Sequence, residues 1–338
     1  MKDFNPQNIL VINFGQLGDV ILSFPALKAI RDEFPTAKIT VAIGKSCAAI
    51  LDLSGFADEK IIVDRVKLRD SPKLWSVFQI GKLINDVRRR EFDFVIDLHS
   101  LPETNLLSVV SGAGKRLLAN RESRSLNFLS SFRTTREDRS QHATDRYLKT
   151  LEPLGIKDVL RVARIAPRKE DLQIVEKRWR KHRIEGLTVG LFPGAGHESR
   201  RWDLDKFATL AEFLTRNEKV RIIVFLGPEE KNLTAEVRRK FPAQTVVFDD
   251  LTLPQLVAAL AQLSVFVSND TGPMHLAALV GASVVLLMDK NAPTTYAPLT
   301  KNLRVLNKDS ISDLSVQTAY RATQELLSSS RVETLFTL

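Results

Sequence analysis

Three stretches of this sequence carry residues that could bind an anion or move a proton. The most informative is residues 267–282, which reads VSNDTGPMHLAALVGA and has a short β-rich apolar run on each side. Asp270 and Thr271 are good N-cap residues, and Pro273 suits the first turn of a helix. Because Gly272 leaves the backbone uncovered, the free N–H groups at this helix start could face an anion, above all phosphate. A capped crossover helix that binds nothing is the alternative.

The second stretch is residues 193–202, PGAGHESRRW, which follows a predicted strand and precedes a predicted helix. Gly194 frees the backbone, and the adjacent Arg200 and Arg201 offer bidentate donors to phosphate oxygens. The alternative is a surface loop in which an arginine pairs with a neighbouring carboxylate. Together with the helix start of the first stretch, this loop predicts two phosphate-facing elements and so a nucleotide diphosphate.

The third stretch is Gly15-Gln-Leu-Gly18-Asp19. It falls short of the dinucleotide fingerprint G-x-G-x-x-G, so a hydride-transfer enzyme is poorly supported. What remains is a turn that delivers one carboxylate to the end of the first strand. Asp19 is therefore either a helix N-cap or a general base.

The elements that must position these loops alternate between strand and helix, which is typical of an α/β protein with doubly wound parallel sheets. The first half predicts strands at 8–14, 38–43, 61–63 and 92–98 and helices at 20–34, 47–53, 74–90, 104–111 and 142–154. Residues 115–139 predict a long, arginine-rich, mobile surface loop, and residues 155–167 an interdomain connection. The second half repeats the alternation from residue 188. Because ligands of such sheets bind beyond the carboxyl ends of the strands, all three loops lie where chemistry is expected.

Composition narrows the class of protein. A chain of 338 residues suggests two domains, and its apolar runs are too short for a signal-peptide core or a membrane span. The single Cys47 excludes an internal disulfide framework and a cysteine metal cluster, so we expect a cytoplasmic protein. The formal charge of +9 predicts an anionic partner. Few aromatic residues interleave with the basic ones, which disfavours nucleic acid; a solvated basic surface is the alternative.

In this order and spacing the segments resemble the bacterial lipopolysaccharide heptosyltransferases of glycosyltransferase family nine. The resemblance runs from about residue 9 to residue 282 and is carried by residues 15–27, 97–99, 142–148, 193–202 and 268–278. Departures are Arg200-Arg201, where the family often has Lys before Arg or His, Ser100 after His99, and residues 288–293 in place of a Gly-Pro-rich loop. These departures leave the identity of the donor sugar open.

The resemblance implies a GT-B architecture, in which two Rossmann-like doubly wound parallel-sheet domains face a cleft. Residues 1–160 would bind the acceptor and carry the catalytic base, residues 161–312 would bind the nucleotide sugar, and residues 313–338 would form a helix that packs back on the first domain. It also implies an inverting reaction with neither a cofactor nor an obligatory metal.

By the same resemblance, Asp19 would deprotonate the acceptor hydroxyl as it attacks the anomeric carbon of ADP-heptose. The residues expected to bind the donor are Gly194, Arg200, Arg201, Asp270, Thr271, Gly272, Pro273, Met274 and His275. Those expected to bind the acceptor are Gly18, Arg65, Lys67, Arg69, His99, Arg121 and Arg124.

The partners implied are the nucleotide-sugar donor and an anionic glycolipid acceptor, the inner core of lipopolysaccharide, reached by a monomer at the cytoplasmic face of the inner membrane. Two other functions stay open on the sequence. A GT-B sugar-nucleotide epimerase would convert the donor without an acceptor, and a non-catalytic nucleotide-sugar-binding protein would bind ADP without transfer.

Overall fold

The computed structural model describes the backbone of residues 4–335 and the side chains of residues 4–329. It divides the chain into two compact units, Met1–Ala163 and Arg164–Leu338. Each unit is a parallel sheet with helices as crossovers. None of the helices within the described residues is both long and apolar enough to cross a membrane.

Among its described residues, the first unit contains five parallel strands in the order β3-β2-β1-β4-β5. The strands are β1 (Asn8–Asn13), β2 (Lys38–Gly44), β3 (Glu59–Val63), β4 (Phe94–Asp97) and β5 (Lys115–Leu118). In the central strand, Ile9 pairs with Ile39 on one side and with Phe94 on the other. All three side chains are fully buried, as expected for a parallel sheet covered on both faces.

The α-helices of the first unit, within residues 4–163, are α1 (Leu17–Leu22), α2 (Phe24–Glu33), α3 (Ala48–Ser54), α4 (Arg65–Asp70), α5 (Lys73–Arg89), α6 (Pro102–Val110) and α7 (Ala143–Thr150). The single helix predicted over residues 20–34 is wrong, because the chain breaks at Ser23. The Ser23 hydroxyl donates to the Val20 carbonyl at 2.7 Å and accepts from the Asn13 amide at 2.9 Å. Pro25 then lacks the N–H that a continuous helix would use.

The mobile loop predicted over residues 115–139 is also wrong in part. Its first residues form the edge strand β5, and the remainder is tied to the unit by long-range hydrogen bonds. The Leu126 N–H donates to Asn105 Oδ1 at 2.7 Å, and the Ser131 N–H donates to the Arg116 carbonyl at 2.7 Å. Phe132 packs against the ring of Phe94 with 5.8 Å between the centroids. Arginine and serine spacing gave no sign of these contacts, since their partners are distant in sequence.

Up to residue 335, where the described backbone ends, the second unit contains six parallel strands in the order β11-β10-β9-β6-β7-β8. The strands are β6 (Thr188–Phe192), β7 (Arg221–Phe225), β8 (Val246–Phe248), β9 (Val265–Asn269), β10 (Ser283–Asp289) and β11 (Leu303–Lys308). Its helices are α8 (Lys169–Lys181), α9 (Leu204–Glu218), α10 (Thr234–Lys240), α11 (Leu253–Leu260), α12 (Gly272–Val280) and α13 (Val316–Leu335). The sequence analysis missed β11, an edge strand that alternates little between apolar and polar residues.

Helix α13 contributes to the core of the second unit. Ala319, Ala322, Leu326 and Leu327 are buried there with residues of α9 and of the sheet. Residues 336–338 of the predicted terminal segment lie outside the described part of the chain. That this segment packs on the first domain stays a prediction.

Both sheets have the strand order of a Rossmann fold, which confirms the predicted α/β class. In this order the direction in which successive strands are added across the sheet reverses between β1 and β4 in the first unit and between β6 and β9 in the second. Ligands of such sheets bind at the carboxyl ends of the strands beside this switch point. The three loops chosen from the sequence follow β1, β6 and β9, so each lies beside a switch point.

Candidate active site

The carboxylate of Asp19 is held over the turn that follows β1. Gln16 lies just before α1, and its N–H donates to Asp19 Oδ2 at 3.2 Å. Asp19 is the third residue of α1 and Gln16 is the N-cap, so the N-cap alternative for Asp19 does not hold, and the general-base role stays a prediction. A Cβ on Gly15 would lie 2.6 Å from the Asp19 Cβ, which explains why glycine stands there. Gly18 sits between them in the first turn.

Two arginines act on this carboxylate. Burial raises the pKa of Asp19 above its ordinary value, and this effect exceeds the lowering by the Gln16 N–H and by the charges of Arg121 and Arg146. A partly buried carboxyl with a raised pKa binds a proton more readily than an exposed one, which suits a general base.

The two arginines are joined through Glu137. Arg146 lies 3.1 Å and Arg121 3.9 Å from Glu137 Oε1, and at most 16% of each of these three side chains is exposed. Arg121 also donates to the Leu98 carbonyl at 3.2 Å. Sequence reasoning missed Glu137 and gave no role to Arg146, although Arg146 lies in a segment that carried the resemblance. Glu137 has no local signal, because its partners come from two other segments.

The end of β4 is organised by Asp97, whose side chain is fully buried. Its carboxylate accepts from the His99 N–H at 3.0 Å, the Ser100 N–H at 2.7 Å and Asn105 Nδ2 at 2.7 Å. Burial raises the pKa of Asp97 to about 6, against the opposing effect of hydrogen bonds from Ser100, Thr104 and Asn105 and of the Arg121 charge. Asp97 thereby fixes the loop that carries His99.

The His99 imidazole lies among arginines. Burial and, in decreasing order, the charges of Arg121, Arg65 and Arg124 together lower the pKa of His99 to about 4. The ring is therefore neutral at neutral pH, with an edge contact to Phe14 at 6.2 Å between centroids. Arg65 donates to the Phe14 carbonyl at 2.5 Å. Four of the predicted acceptor residues are thus neighbours.

Lys67 and Arg69 are engaged elsewhere. The Lys67 ammonium lies 5.0 Å from the centroid of the Trp75 ring, and Arg69 forms a bidentate pair with the adjacent Asp70. Their positions in α4 share an element with Arg65, but no contact of either with Asp19 or His99 is found among the described residues. That they bind acceptor stays a prediction.

The buried carboxyl of Asp97 predicts a pH dependence of stability. Its pKa is about 6 in the folded protein against an ordinary 3.8. The protonated carboxyl therefore contributes stability fully below about pH 4, and the contribution, about 3 kcal/mol, is lost as the pH rises through 6. We expect urea unfolding to show the wild type losing free energy of unfolding relative to Asp97→Asn across this window. A pH-independent difference between the two proteins would contradict the assignment.

In the second unit, Asn269 joins the two predicted phosphate loops. Its Nδ2 donates to the carbonyls of Pro193 and Gly194, each at 3.0 Å, and its Oδ1 accepts from the Trp202 N–H at 3.1 Å. Asn269 and Trp202 are fully buried, and the Trp202 indole N–H donates to the Leu314 carbonyl at 3.0 Å. Sequence reasoning missed Asn269, which ends β9.

Arg200 and Arg201 lie between Gly194 and Trp202, and both residues are exposed. Arg200 pairs with Asp270 at 3.5 Å, and Arg201 donates to the Ala195 carbonyl at 3.5 Å. Arg200 therefore pairs with a carboxylate of the other loop. It does not pair with a carboxylate close to it in sequence, which was the alternative. Burial raises the pKa of Asp270, and the Arg200 charge opposes that rise.

Helix α12 begins as predicted at Gly272. Thr271 is the N-cap residue and has extended backbone, but its side chain makes no capping hydrogen bond, and Pro273 lies in the first turn. The first N–H groups of the helix are therefore not capped by that side chain. Met274 is fully buried and His275 nearly so, which leaves the Met274 backbone rather than its side chain for a ligand.

A further carboxylate lies against the first phosphate loop. Glu230 accepts from the Gly227 N–H at 3.1 Å, and a Cβ on Gly194 would overlap the Glu230 side chain. Burial raises the pKa of Glu230, while the charge of Arg201 lowers it. A larger residue at 194 would therefore displace the Glu230 side chain, and Glu230 joins the residues that the sequence analysis missed.

Comparison with known proteins finds sequence relatives among the heptosyltransferases. The chain is similar to lipopolysaccharide heptosyltransferase 3 of Escherichia coli K12, with 23% identity over 85% of this chain and 83% of that protein. It is 25% identical to lipooligosaccharide heptosyltransferase 2 of Campylobacter jejuni, over 87% and 84% of the two chains.

Solved structures share the fold. A glycosyl transferase family 9 protein from Veillonella parvula has a TM-score of 0.84 at 24% identity, covering 96% of this chain and 97% of that one. E. coli heptosyltransferase WaaC with ADP has a TM-score of 0.78 at 18% identity over 95% and 100%. The UDP-GlcNAc 2-epimerase of Methanocaldococcus jannaschii reaches 0.56 at 10% identity over 98% and 99%.

The architecture is therefore GT-B, as predicted, with two Rossmann-like domains. The fold alone would also accommodate an epimerase, so the family is decided by sequence. The model of Glycosyltransferase family 9 (heptosyltransferase) matches residues 80–321, well over half of the chain and including most of the loops described above. This chain belongs to glycosyltransferase family 9 and is a glycosyltransferase.

Proposed function

We propose that this enzyme transfers a heptose from ADP-heptose to the inner core of lipopolysaccharide, with inversion at the anomeric carbon. Two of its relatives are named as heptosyltransferases of lipopolysaccharide or lipooligosaccharide. The observation that carries the proposal is the carboxylate of Asp19, partly buried beside the switch point of the first unit with a raised pKa.

In the proposed reaction, Asp19 accepts the proton of the acceptor hydroxyl as the hydroxyl oxygen attacks the anomeric carbon. The bond from that carbon to the diphosphate oxygen breaks, and ADP leaves with its electron pair. Gln16 and Gly15 keep the carboxylate over the turn. Because burial raises the pKa of Asp19, its carboxylate accepts the hydroxyl proton more readily.

Negative charge accumulates on the departing diphosphate, and three positive features of the second unit suit it. They are the guanidinium groups of Arg200 and Arg201 and the N–H groups at the start of α12. These donors do the work that a metal ion does in other transferases. We therefore propose that catalysis is independent of a divalent metal, and expect the rate to be unchanged in EDTA; a loss restored by magnesium would contradict this.

The acceptor is proposed to lie against His99 and the arginines around it. Arg65, Arg121 and Arg124 concentrate positive charge at the end of β4, where the carboxylates and phosphates of an inner-core glycolipid would be attracted. The neutral His99 ring can donate and accept a hydrogen bond with a sugar hydroxyl. Lys67 and Arg69 are proposed to add charge at the edge of this region.

Because that acceptor is a glycolipid, we propose that the enzyme acts at the cytoplasmic face of the inner membrane. We also propose that it acts as a monomer. Transfer then requires that the first unit holds the acceptor while the second holds the donor.

The proposal is tested by incubating the protein with ADP-heptose and a heptose-free core acceptor, and following ADP release and the mass of the acceptor. Transfer of one heptose with ADP release is expected. Conversion of the donor in the absence of acceptor would instead identify an epimerase. Tight ADP binding without transfer to any core acceptor would identify a binding protein.

Loss of Arg200 is expected to weaken ADP binding. A hydrogen bond from a charged donor to phosphate contributes about 1.5 kcal/mol or more, so Arg200→Ala should raise the Kd of ADP about tenfold in titration calorimetry. Arg216→Ala is the matched control, since Arg216 is exposed and pairs with Glu212 one turn earlier on α9. Equal affinity of the two variants would remove Arg200 from the donor site.

A further inference from the structure

The helix pair α4 and α5 exposes an unusual amount of apolar surface. Five large apolar side chains of these helices are exposed, namely Val66, Leu74, Val77, Phe78 and Ile80. Leu74 is 87% exposed, and Val77 and Phe78 are 66% and 67% exposed. Their spacing places all three on one face of α5, so they form a continuous stripe rather than scattered contacts.

The same two helices carry a large part of the protein's net charge. Residues 65–89 contain seven Lys or Arg and two Asp, a net charge of +5 against +9 for the whole chain. Both aspartates are paired, Asp70 with Arg69 and Asp86 with Arg90. Lys73 and Lys82 are exposed on α5 beside the apolar stripe, and Arg88 is exposed further along the same helix.

We propose that these exposed apolar and basic side chains of residues 65–89, the α4–α5 surface, dock on an anionic lipid bilayer. The apolar stripe would enter the boundary between headgroups and acyl chains, while the basic side chains bind lipid phosphates. The inference deepens the proposed function and rests on it in one respect, because a glycolipid acceptor is presented at a membrane.

Charge favours a bilayer over the other occupants of such a surface. Two copies of this chain that met through the same surface would bring a net charge of +5 against +5, which opposes a symmetric dimer. An anionic bilayer supplies the complementary charge and an apolar layer at once. A nucleic acid supplies the charge but has no counterpart for exposed Leu74 and Val77.

Trp75 gives the surface an intrinsic reporter. It lies in α5 under the Lys67 ammonium and is half-buried, whereas Trp179 and Trp202, the other two tryptophans of the chain, are buried in the second unit. A ring with one apolar and one polar side is suited to the membrane interface. Docking should therefore shift the emission of Trp75 to shorter wavelength.

The test is co-sedimentation of the full chain with vesicles of phosphatidylglycerol and phosphatidylcholine at low salt, with emission spectra of the same samples. We expect binding to the mixed vesicles, weaker binding to pure phosphatidylcholine, and a blue shift. The double variant Leu74→Gln/Phe78→Gln should lower the partition coefficient about tenfold or more. Leu160→Gln, at a position 81% exposed in another segment, is the matched control and should bind as the wild type.

Both variants are also assayed on a soluble, delipidated core acceptor. Unchanged transfer there, with lost vesicle binding, supports the α4–α5 surface and shows that the double variant is folded. Equal vesicle binding by wild type and double variant, or no binding by the wild type, would overturn the inference while leaving transfer intact. A dimer in sedimentation equilibrium that the double variant abolishes would assign the surface to a second copy instead. Absence of transfer by the wild type would count against the proposed function, not against docking.

Discussion

Replacement of Asp19 by Asn is expected to lower kcat about a thousandfold while leaving the Kd of ADP unchanged. A positioned general base contributes about 10²–10⁴ to the rate, and the amide of Asn cannot accept the proton. The amide oxygen can still accept the Gln16 N–H, so the turn is preserved. The measurement is steady-state transfer to a core acceptor, together with calorimetric titration of ADP.

Asp32→Asn is the matched control, because Asp32 is an exposed carboxylate on α2 that pairs with Lys28. Its kcat should equal that of the wild type.

The pH profile separates a base from a merely structural carboxylate. Because the pKa of Asp19 is raised, kcat/KM of the wild type should decrease as the pH is lowered, and the decrease should begin at a higher pH than for an ordinary aspartate. The residual kcat/KM of the variant should not show this decrease. Retention of a tenth or more of the wild-type kcat by Asp19→Asn would exclude the general-base role.

The second large effect is expected at Asn269. Its replacement by Ala leaves three buried groups without a partner, the carbonyls of Pro193 and Gly194 and the N–H of Trp202. An unsatisfied buried group costs about 1–3 kcal/mol, and partial relaxation of the loops reduces the sum, so we expect a loss of about 3 kcal/mol in the free energy of unfolding. Chemical denaturation measures this loss.

The same substitution should raise the Kd of ADP about tenfold or more, because both proposed phosphate loops are anchored on this one side chain. Asn269→Asp separates the anchors, since it keeps the acceptor for the Trp202 N–H but loses both donors. We expect it to weaken ADP binding as well. Asn291→Ala, at an exposed position beyond β10, controls for loss of an asparagine. Unchanged ADP affinity in a folded Asn269→Ala would show that the loops do not form the donor site.

Asp19→Asn tests the loop at the switch point of the first unit, and Asn269→Ala tests the loops at the switch point of the second. The pH dependence of stability tests the burial of Asp97 after β4, and Arg200→Ala tests the positive charge available to the diphosphate. Transfer requires both substrates at once, so Asp19→Asn should lose kcat and keep ADP binding, whereas Asn269→Ala should lose ADP binding first. The opposite pattern would exchange the proposed roles of the two units.

Several sequence predictions were confirmed because they depend on local patterns. Apolar runs and helical spacing determine an alternating α/β chain, and Gly272 with Pro273 fixes where α12 begins. The loops after β1, β6 and β9 follow directly, since a parallel sheet places all carboxyl ends at one edge. The helix over residues 20–34 was wrong because its break depends on a hydrogen bond between Ser23 and Asn13 of the neighbouring strand.

The sequence by itself determined the class of fold, the family resemblance, and which loops carry glycine, arginine and carboxylate. Only the tertiary structure decided the environment of those side chains. It brought Arg121, Glu137 and Arg146 together near Asp19, made His99 neutral, and joined two loops through Asn269. The physical reason is range: a helix or turn depends on residues within about four positions, as in the i to i+4 bond. Burial and charge instead depend on side chains far apart in the chain, such as Trp202 and Asn269, which are 67 residues apart.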